Sequence, residues 1–409
     1  MHFNLNAVRA QFGALSQQYN GQDVCFFDGP GGSQVPFSVL EAMQDYLGHY
    51  NANLGGQYFS SRKTDQLMAN ARASAQALVN AQSADNIVFG ANMTSLTFSL
   101  SRSISRNWIE GDEIIVTALD HYANVSTWQQ AAEDKGVKVL SANINTDDCT
   151  LDVAHLLSMM NDKTRLVAVT LASNATGSIV DVEPIIRKAQ QYGTQVFIDA
   201  VHYAPHHLVD VQQLGCDFLV CSAYKFFGPH VGIAYIAPKW LQTLLPYKVE
   251  PATNIGPGRF ETGTQSFEGL AGLVAAVDYL AQWGNQNDSL RDRLVQSYVL
   301  YNQHEQTLSE HFIKRINERK YIQLWGVKQG LSALRTPTFA LTFEHQSPAD
   351  IARHLGESNI CVWSGHFYAL GVVRQLGLEE SGGVVRIGMM HYNTIEEIDQ
   401  LFATLDALY

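Results

Sequence analysis

The chain has 409 residues, with 27 Lys/Arg against 39 Asp/Glu, a formal charge of −12 and 46% apolar content. That length buries a full core without staples and allows two domains, or one large domain with an appendage. The acidic balance, with no clustered Lys/Arg stripe, argues against nucleic-acid binding, and no apolar run reaches bilayer-crossing length.

The first twenty residues, "MHFNLNAVRAQFGALSQQYN", lack a basic segment followed by an apolar one, so they do not read as a signal peptide. Five cysteines (Cys25, Cys149, Cys216, Cys221, Cys361) form no CxxC pair. They read as reduced, mostly buried thiols, and the expected location is the cytoplasm.

From residue 85 short β-branched runs alternate with helix-length segments. The predicted strands are 86–91, 113–119, 137–144, 165–173, 195–200, 218–223 and 232–238. Between them, "VSTWQQAAEDKG" and "DVEPIIRKAQQYG" each end on a glycine suited to a helix C-terminus. Near-continuous apolar strands alternating with helices predict an α/β fold, a mostly parallel sheet covered on both faces. After residue 265 a long helix, a polar helix around 288–319 and shorter strands ("YIQLWG", "TFALTFE", "ICVWSG", "VVRIGM") predict a smaller α+β domain. The division read from this pattern is an N-terminal arm (1–20) packing on the small domain, a large domain (21–265) and the small domain (266–409). In the last segment Thr394 and Glu397 have capping-box spacing.

Ligands of parallel α/β sheets bind beyond the carboxyl ends of the strands. At those ends lie Asp199, Lys225, His121, Asn174 and the sequence Asn92-Met93-Thr94 that opens a helix. Singly each has an ordinary explanation: Asp or Thr as a helix cap, His as a satisfied core residue. A lysine between two apolar strands is harder to dismiss, because burying an ammonium is costly.

One chemistry uses the set together. A lysine amine forms a Schiff base with an aldehyde cofactor, and pyridoxal 5'-phosphate (PLP) is the commonest such aldehyde. It asks for an acidic partner for its ring nitrogen (Asp199) and a phosphate site at a helix N-terminus. The amides of Met93 and Thr94, the Thr94 hydroxyl and Ser222 suit that phosphate site. His121 could lie flat against the ring.

The ordered motifs "NMTS", "DHYANVSTW", "SNATG", "FIDAVH", "CSAYKFFGP", "RFETGT" and "VVRIGMMHYNT" resemble class V aminotransferase-type PLP enzymes of fold type I. Within them the chain resembles the branch of group II cysteine desulfurases and selenocysteine lyases. The resemblance runs from "FFDGPGGSQVP" to the last helix. It implies a homodimer with shared active sites, acting on an amino acid. By that resemblance Lys225 is the Schiff-base lysine, Asp199 the ring-nitrogen partner and His121 the stacking residue. Asn174 would lie near the phenolic oxygen or the substrate. His202 stands where the family usually has a glutamine on that oxygen, and Tyr224 where it usually has a phosphate-binding histidine. Thr94 and Ser222 match phosphate ligands. Thr264 would complete the phosphate site from the second subunit, and Arg386 would bind the substrate carboxylate, a role suited to its bidentate fork.

Two segments depart from that pattern. In group II desulfurases the loop matching "VWSGHFYALG" (362–371) carries an arginine, a second histidine and a persulfide-forming cysteine. Here those positions hold Trp363, Phe367 and Tyr368. A phenol, with a pKa of about 10, is a poor sulfur nucleophile at neutral pH, and Cys361 lies inside a predicted strand. "NANLGG" (51–56) likewise replaces a frequent His-Arg pair. The expected reaction is therefore transamination or β-elimination, with Tyr368 among the substrate contacts. A true desulfurase or selenocysteine lyase is the alternative, and a non-catalytic PLP-fold binding protein a further one. A nicotinamide oxidoreductase is disfavoured because "GPGGS" (29–33) lacks GxGxxG spacing.

Overall fold

The computed structural model describes residues 3–409. Seven strands form the main sheet: β1 (Ile87–Gly90), β2 (Glu113–Thr117), β3 (Lys138–Ala142), β4 (Thr164–Thr170), β5 (Gln195–Asp199), β6 (Phe218–Ser222) and β7 (Gly232–Ile236). Their order is β1-β7-β6-β5-β4-β2-β3, and β7 alone runs antiparallel to its neighbours. The segment from 223 to 231 is too short for a crossover, which needs a dozen or more residues, so β7 returns beside β6 as a hairpin partner. The expected strand 137–144 ends at Ala142, and Ile144–Asn145 turns into a small hairpin with Thr150–Leu151.

Alternation along the strands builds two cores. Val167, Val169, Val196, Ile198, Leu219 and Ile233 point to one face; Leu166, Ala168, Phe197, Phe218, Val220 and Ala234 point to the other. The first face is covered by α1 (Phe59–Val79), α4 (Glu183–Tyr192) and α5 (Phe267–Leu280); the second by α2 (Met93–Ile104) and α3 (Ser126–Glu133). Each fully buried Leu, Ile or Val contributes roughly 1.5–3 kcal/mol by leaving water. The helix ends follow local chemistry. Asn92 caps α2 by accepting the Ser95 amide at 2.9 Å, and α4 stops on Gly193 at φ 68°.

The long helix α6 (Leu290–Asn317) packs its first half (Leu294, Tyr298, Tyr301) into the large core. Its second half (Leu308, Phe312, Ile316) enters a third core. That third core lies on a four-stranded sheet of β8 (Ile322–Trp325), β9 (Thr338–Phe343), β10 (Trp363–Gly365) and β11 (Val384–Gly388), in the order β8-β9-β11-β10. The helices α7 (Pro348–Glu357) and α8 (Ile395–Asp406) cover it, and Thr394 and Glu397 close the expected capping box. The segment "ICVWSG" divides in two: Ile360–Cys361 pairs with Cys25–Phe26, and Trp363–Gly365 joins the sheet beside β11. Among the described residues no helix is long and apolar enough to cross a membrane.

Candidate active site

A cleft of about 840 Å³ opens at the carboxyl ends of β1, β2, β4, β5 and β6 and is closed on one side by β10 and β11. It brings together Lys225, Asp199, His121, Asn174, His202, Met93, Thr94, Ser222, Tyr224, Tyr368 and Arg386. Thr264 is the exception within one chain. It lines a neighbouring depression with Gly90, Ser95 and His230.

Lys225 ends the single 3₁₀ turn (223–225) that follows β6, so its amine emerges at the sheet edge. The ammonium donates to the Pro30 carbonyl and lies 4.9 Å from the centre of the Tyr224 ring. Burial, reinforced by the Arg386 charge and opposed by Asp199 and Asp28, pulls its pKa down to about 7. A lysine whose folded pKa lies below its unfolded value withholds stability while charged. That stability is missing below pH 7 and returns as pH rises toward 10.5, because the unfolded chain binds more protons across that window. For the cofactor-free protein, Lys225→Met is therefore expected to stabilise most below pH 7, with the gain shrinking toward pH 10. Urea midpoints of both proteins from pH 6 to 10 check this.

Asp199 is the last residue of β5. It accepts the Val201 amide at 2.8 Å through Oδ1, and burial lifts its pKa to about 6. His121 accepts the Ala123 amide on Nδ1 at 3.0 Å and is held neutral, its pKa lowered to about 4 by burial and by the nearby Lys225 and Arg386 charges. The proton of neutral His121 is therefore on Nε2. Arg386, on β11, is buried, which lowers its pKa to about 9. It donates to the Asn174 carbonyl at 2.9 Å, and Phe367 lies 4.1 Å from its guanidinium carbon.

The N-terminus of α2 differs in detail from the expected phosphate site. The Met93 amide is taken by Ser222 Oγ at 2.9 Å, because β6 and α2 meet there. The pair thus presents the Ser222 O–H rather than the Met93 N–H. The amide and hydroxyl of Thr94 have no partner among the described residues. Gly232 allows this approach of β7 to α2: a Cβ there would lie 2.5 Å from the Asn92 carbonyl carbon. His202 is buried with Nε2 at 3.1 Å from Thr336 Oγ1, and Tyr224 stacks on His230 at 5.0 Å.

Two carboxyls were not singled out in the sequence. Asp120 is fully buried between Thr117, the Asn124 amide (2.7 Å) and the Thr170 backbone N–H (3.2 Å), with its pKa raised to about 8 by burial. It anchors the turn carrying His121 to β4, beside Asp199, and its only sequence signal is its place before that histidine. Asp28 is half-buried, with Oδ1 sheltered and unpartnered, its pKa raised by burial and opposed by the Arg386 and Lys225 charges. Ending the short run "FFD", it reads in sequence as an ordinary turn residue.

Residues 365–368 form the rim. Phe367 and Tyr368 adopt left-handed φ of 51° and 58°, a strain of about 1–3 kcal/mol each for such residues. It is offset by Asn174 Nδ2 donating to the Phe367 carbonyl (2.9 Å) and by the Tyr122 amide donating to the Tyr368 carbonyl (2.8 Å). The Tyr368 ring stacks on His121 at 5.2 Å and 27°. Among the described residues no cysteine lines the cleft.

These residues fit PLP. A buried amine of lowered pKa, a carboxyl at a strand end and free donors at a helix N-terminus lie in one cleft, and Asn174 Oδ1 is buried there without a partner.

The aminotransferase class-V family model matches residues 25–401. A cysteine desulfurase of Pectobacterium atrosepticum is 30% identical over 424 aligned residues, spanning 100% of this chain and 99% of the relative. Two solved structures share the fold. A cysteine desulfurase of Thermococcus onnurineus NA1 superposes with TM-score 0.90 at 25% identity, covering 100% and 99% of the two chains. The cysteine desulfurase CsdA of Escherichia coli gives 0.86 at 25%, covering 100% and 98%. The chain belongs to the class V aminotransferase family. It is a pyridoxal-phosphate-dependent enzyme with the α/β fold of that family, a large, mostly parallel sheet at its centre.

Proposed function

We propose that this enzyme holds an α-amino acid by its carboxylate at Arg386 and acts at Cα through Lys225, leading to transamination or loss of a β-substituent. The observation that carries this reading is an amine with a pKa of about 7 in the same cleft as a buried guanidinium. A group poised near working pH both takes and returns a proton efficiently. PLP, when bound, supplies the electron-withdrawing ring that acidifies the Cα–H bond. Asp199 would face the ring nitrogen, neutral His121 would lie against the ring, and Thr94 with Ser222 would hold the phosphate. Lys225 carries the proton away from Cα.

In this reading Tyr224 would assist at the phosphate, while His202 and Asn174 would stand on the phenolic side. Tyr368 contacts the substrate, and Thr264 acts in the partner's cleft of a homodimer. The segment before Thr264 exposes Leu245, Tyr247, Val249 and Ile255, an apolar surface that suits such a contact.

The relatives named cysteine desulfurase favour a second reading, removal of sulfur from cysteine as a persulfide. That route needs a thiolate at the substrate. Cys361, paired with Phe26 in the short strand, lies outside the cleft lining, and burial raises its pKa. Product analysis separates the readings. A keto acid released with ammonia marks elimination, and a keto acid without ammonia marks transamination. Alanine formed from cysteine, with sulfur left on Cys361, would establish the desulfurase and refute the preferred reading.

A further inference from the structure

Three formally charged side chains line the cleft: Lys225, Asp199 and Arg386. In the proposed function each is engaged, the first two with the cofactor and the third with the substrate carboxylate. A second charge on the substrate, in its side chain, would enter without a counter-ion, which is costly in a sheltered site. Beyond those three the cleft offers polar side chains such as Asn92, Ser95, Ser364 and His366 and, at its mouth, aromatic surface.

Trp363 on β10 is the register partner of Arg386 on β11, so the two side chains share one face of the sheet. Both reach toward Gly31, where an added Cβ would lie 3.3 Å from Trp363 Nε1 and 3.7 Å from Arg386 Nη2. Phe367 covers the guanidinium at 4.1 Å, and Tyr368 stacks on His121. Trp363 and Tyr368 nevertheless remain 56% and 65% exposed, apolar surface held open at the mouth. Trp363, Phe367 and Tyr368 therefore surround the space beside Arg386 that the side chain of a gripped amino acid would enter. The cleft volume of about 840 Å³ lies in the upper half of the range for small-molecule sites, leaving room for a ring beside the cofactor.

We propose that the substrate is an α-amino acid with an uncharged aromatic side chain, selected by Trp363, Phe367 and Tyr368 at the rim of the cleft. The inference rests on the reading that Arg386 and Lys225 engage the amino acid. Offset or edge-to-face packing of the substrate ring on these residues supplies affinity that a methyl group cannot match.

The test is a titration of the PLP-loaded enzyme with phenylalanine, tyrosine, tryptophan, alanine, cysteine, aspartate and lysine. Binding is read from the shift of the cofactor's visible absorbance band, without turnover. At least one aromatic amino acid is expected to bind about tenfold or more tighter than alanine, cysteine, aspartate and lysine. Trp363→Ala or Tyr368→Ala should bring its ratio to alanine toward one. Tightest binding of aspartate, lysine or cysteine overturns the inference, as does an aromatic preference that persists in both variants; either result leaves the roles of Arg386 and Lys225 standing. No shift with any amino acid overturns those roles and the inference with them.

Discussion

Replacing Lys225 with alanine is expected to lower turnover by about a thousandfold or more, the combined loss of a covalent anchor and a positioned base. The same variant should lose the yellow colour that borohydride traps onto the wild-type chain. The expectation follows from where the amine sits. It is desolvated, it rests on the Pro30 carbonyl, and no second lysine lines the cleft among the described residues. Steady-state rates and the mass of borohydride-treated protein check both parts. Wild-type turnover, or trapping at another lysine, would move the chemistry away from residue 225.

Arg386→Ala is expected to raise the substrate KM about a hundredfold, with a smaller effect on kcat. Hydrogen bonds to charged groups are worth about 1.5–3 kcal/mol each, and a guanidinium makes two to a carboxylate. Arg386→Lys should recover only part, since a point charge lacks the planar fork and stacks less well beneath Phe367. A KM unchanged in the alanine variant would place the carboxylate elsewhere in the cleft. The truncation also takes the neighbouring positive charge from the half-buried Asp28 carboxyl, so a thermal melt of the variant accompanies the kinetics.

Much of this site was legible in the sequence because strand ends are legible. β-branched runs bounded by helices located β5 and β6 to within a residue and β4 to within three. The polar residues ending or just past those runs, Asp199, Asn174 and Lys225, then fell at one sheet edge by topology alone. The direction of β7 is decided by the length of its connection, which a strand pattern does not weigh. The division of "ICVWSG" depends on which neighbour each half meets, Cys25–Phe26 or β11, and those contacts are far apart in sequence. Asp120 escaped notice because an acidic residue before a turn is usually a cap; its weight comes from complete burial beside Asp199. The Met93 amide was expected at the phosphate, but Ser222, 129 residues away, claims it. The stacking of Phe367 on Arg386 and of Tyr368 on His121 rests on two consecutive left-handed residues, a conformation that bulky side chains rarely announce.

Lys225, on the turn after β6, and Arg386, on β11, are held by different sheets, and α6, 28 residues long, is sewn into the cores of both. One stiff rod therefore sets the span between amine and guanidinium, where a swivelling linker would let it wander. Under the proposed roles of Lys225 and Arg386, that span would match the reach of an amino acid from carboxylate to Cα. Repacking at Tyr301 or Phe312, remote from the mouth, is then expected to alter the substrate KM without touching a single contact residue.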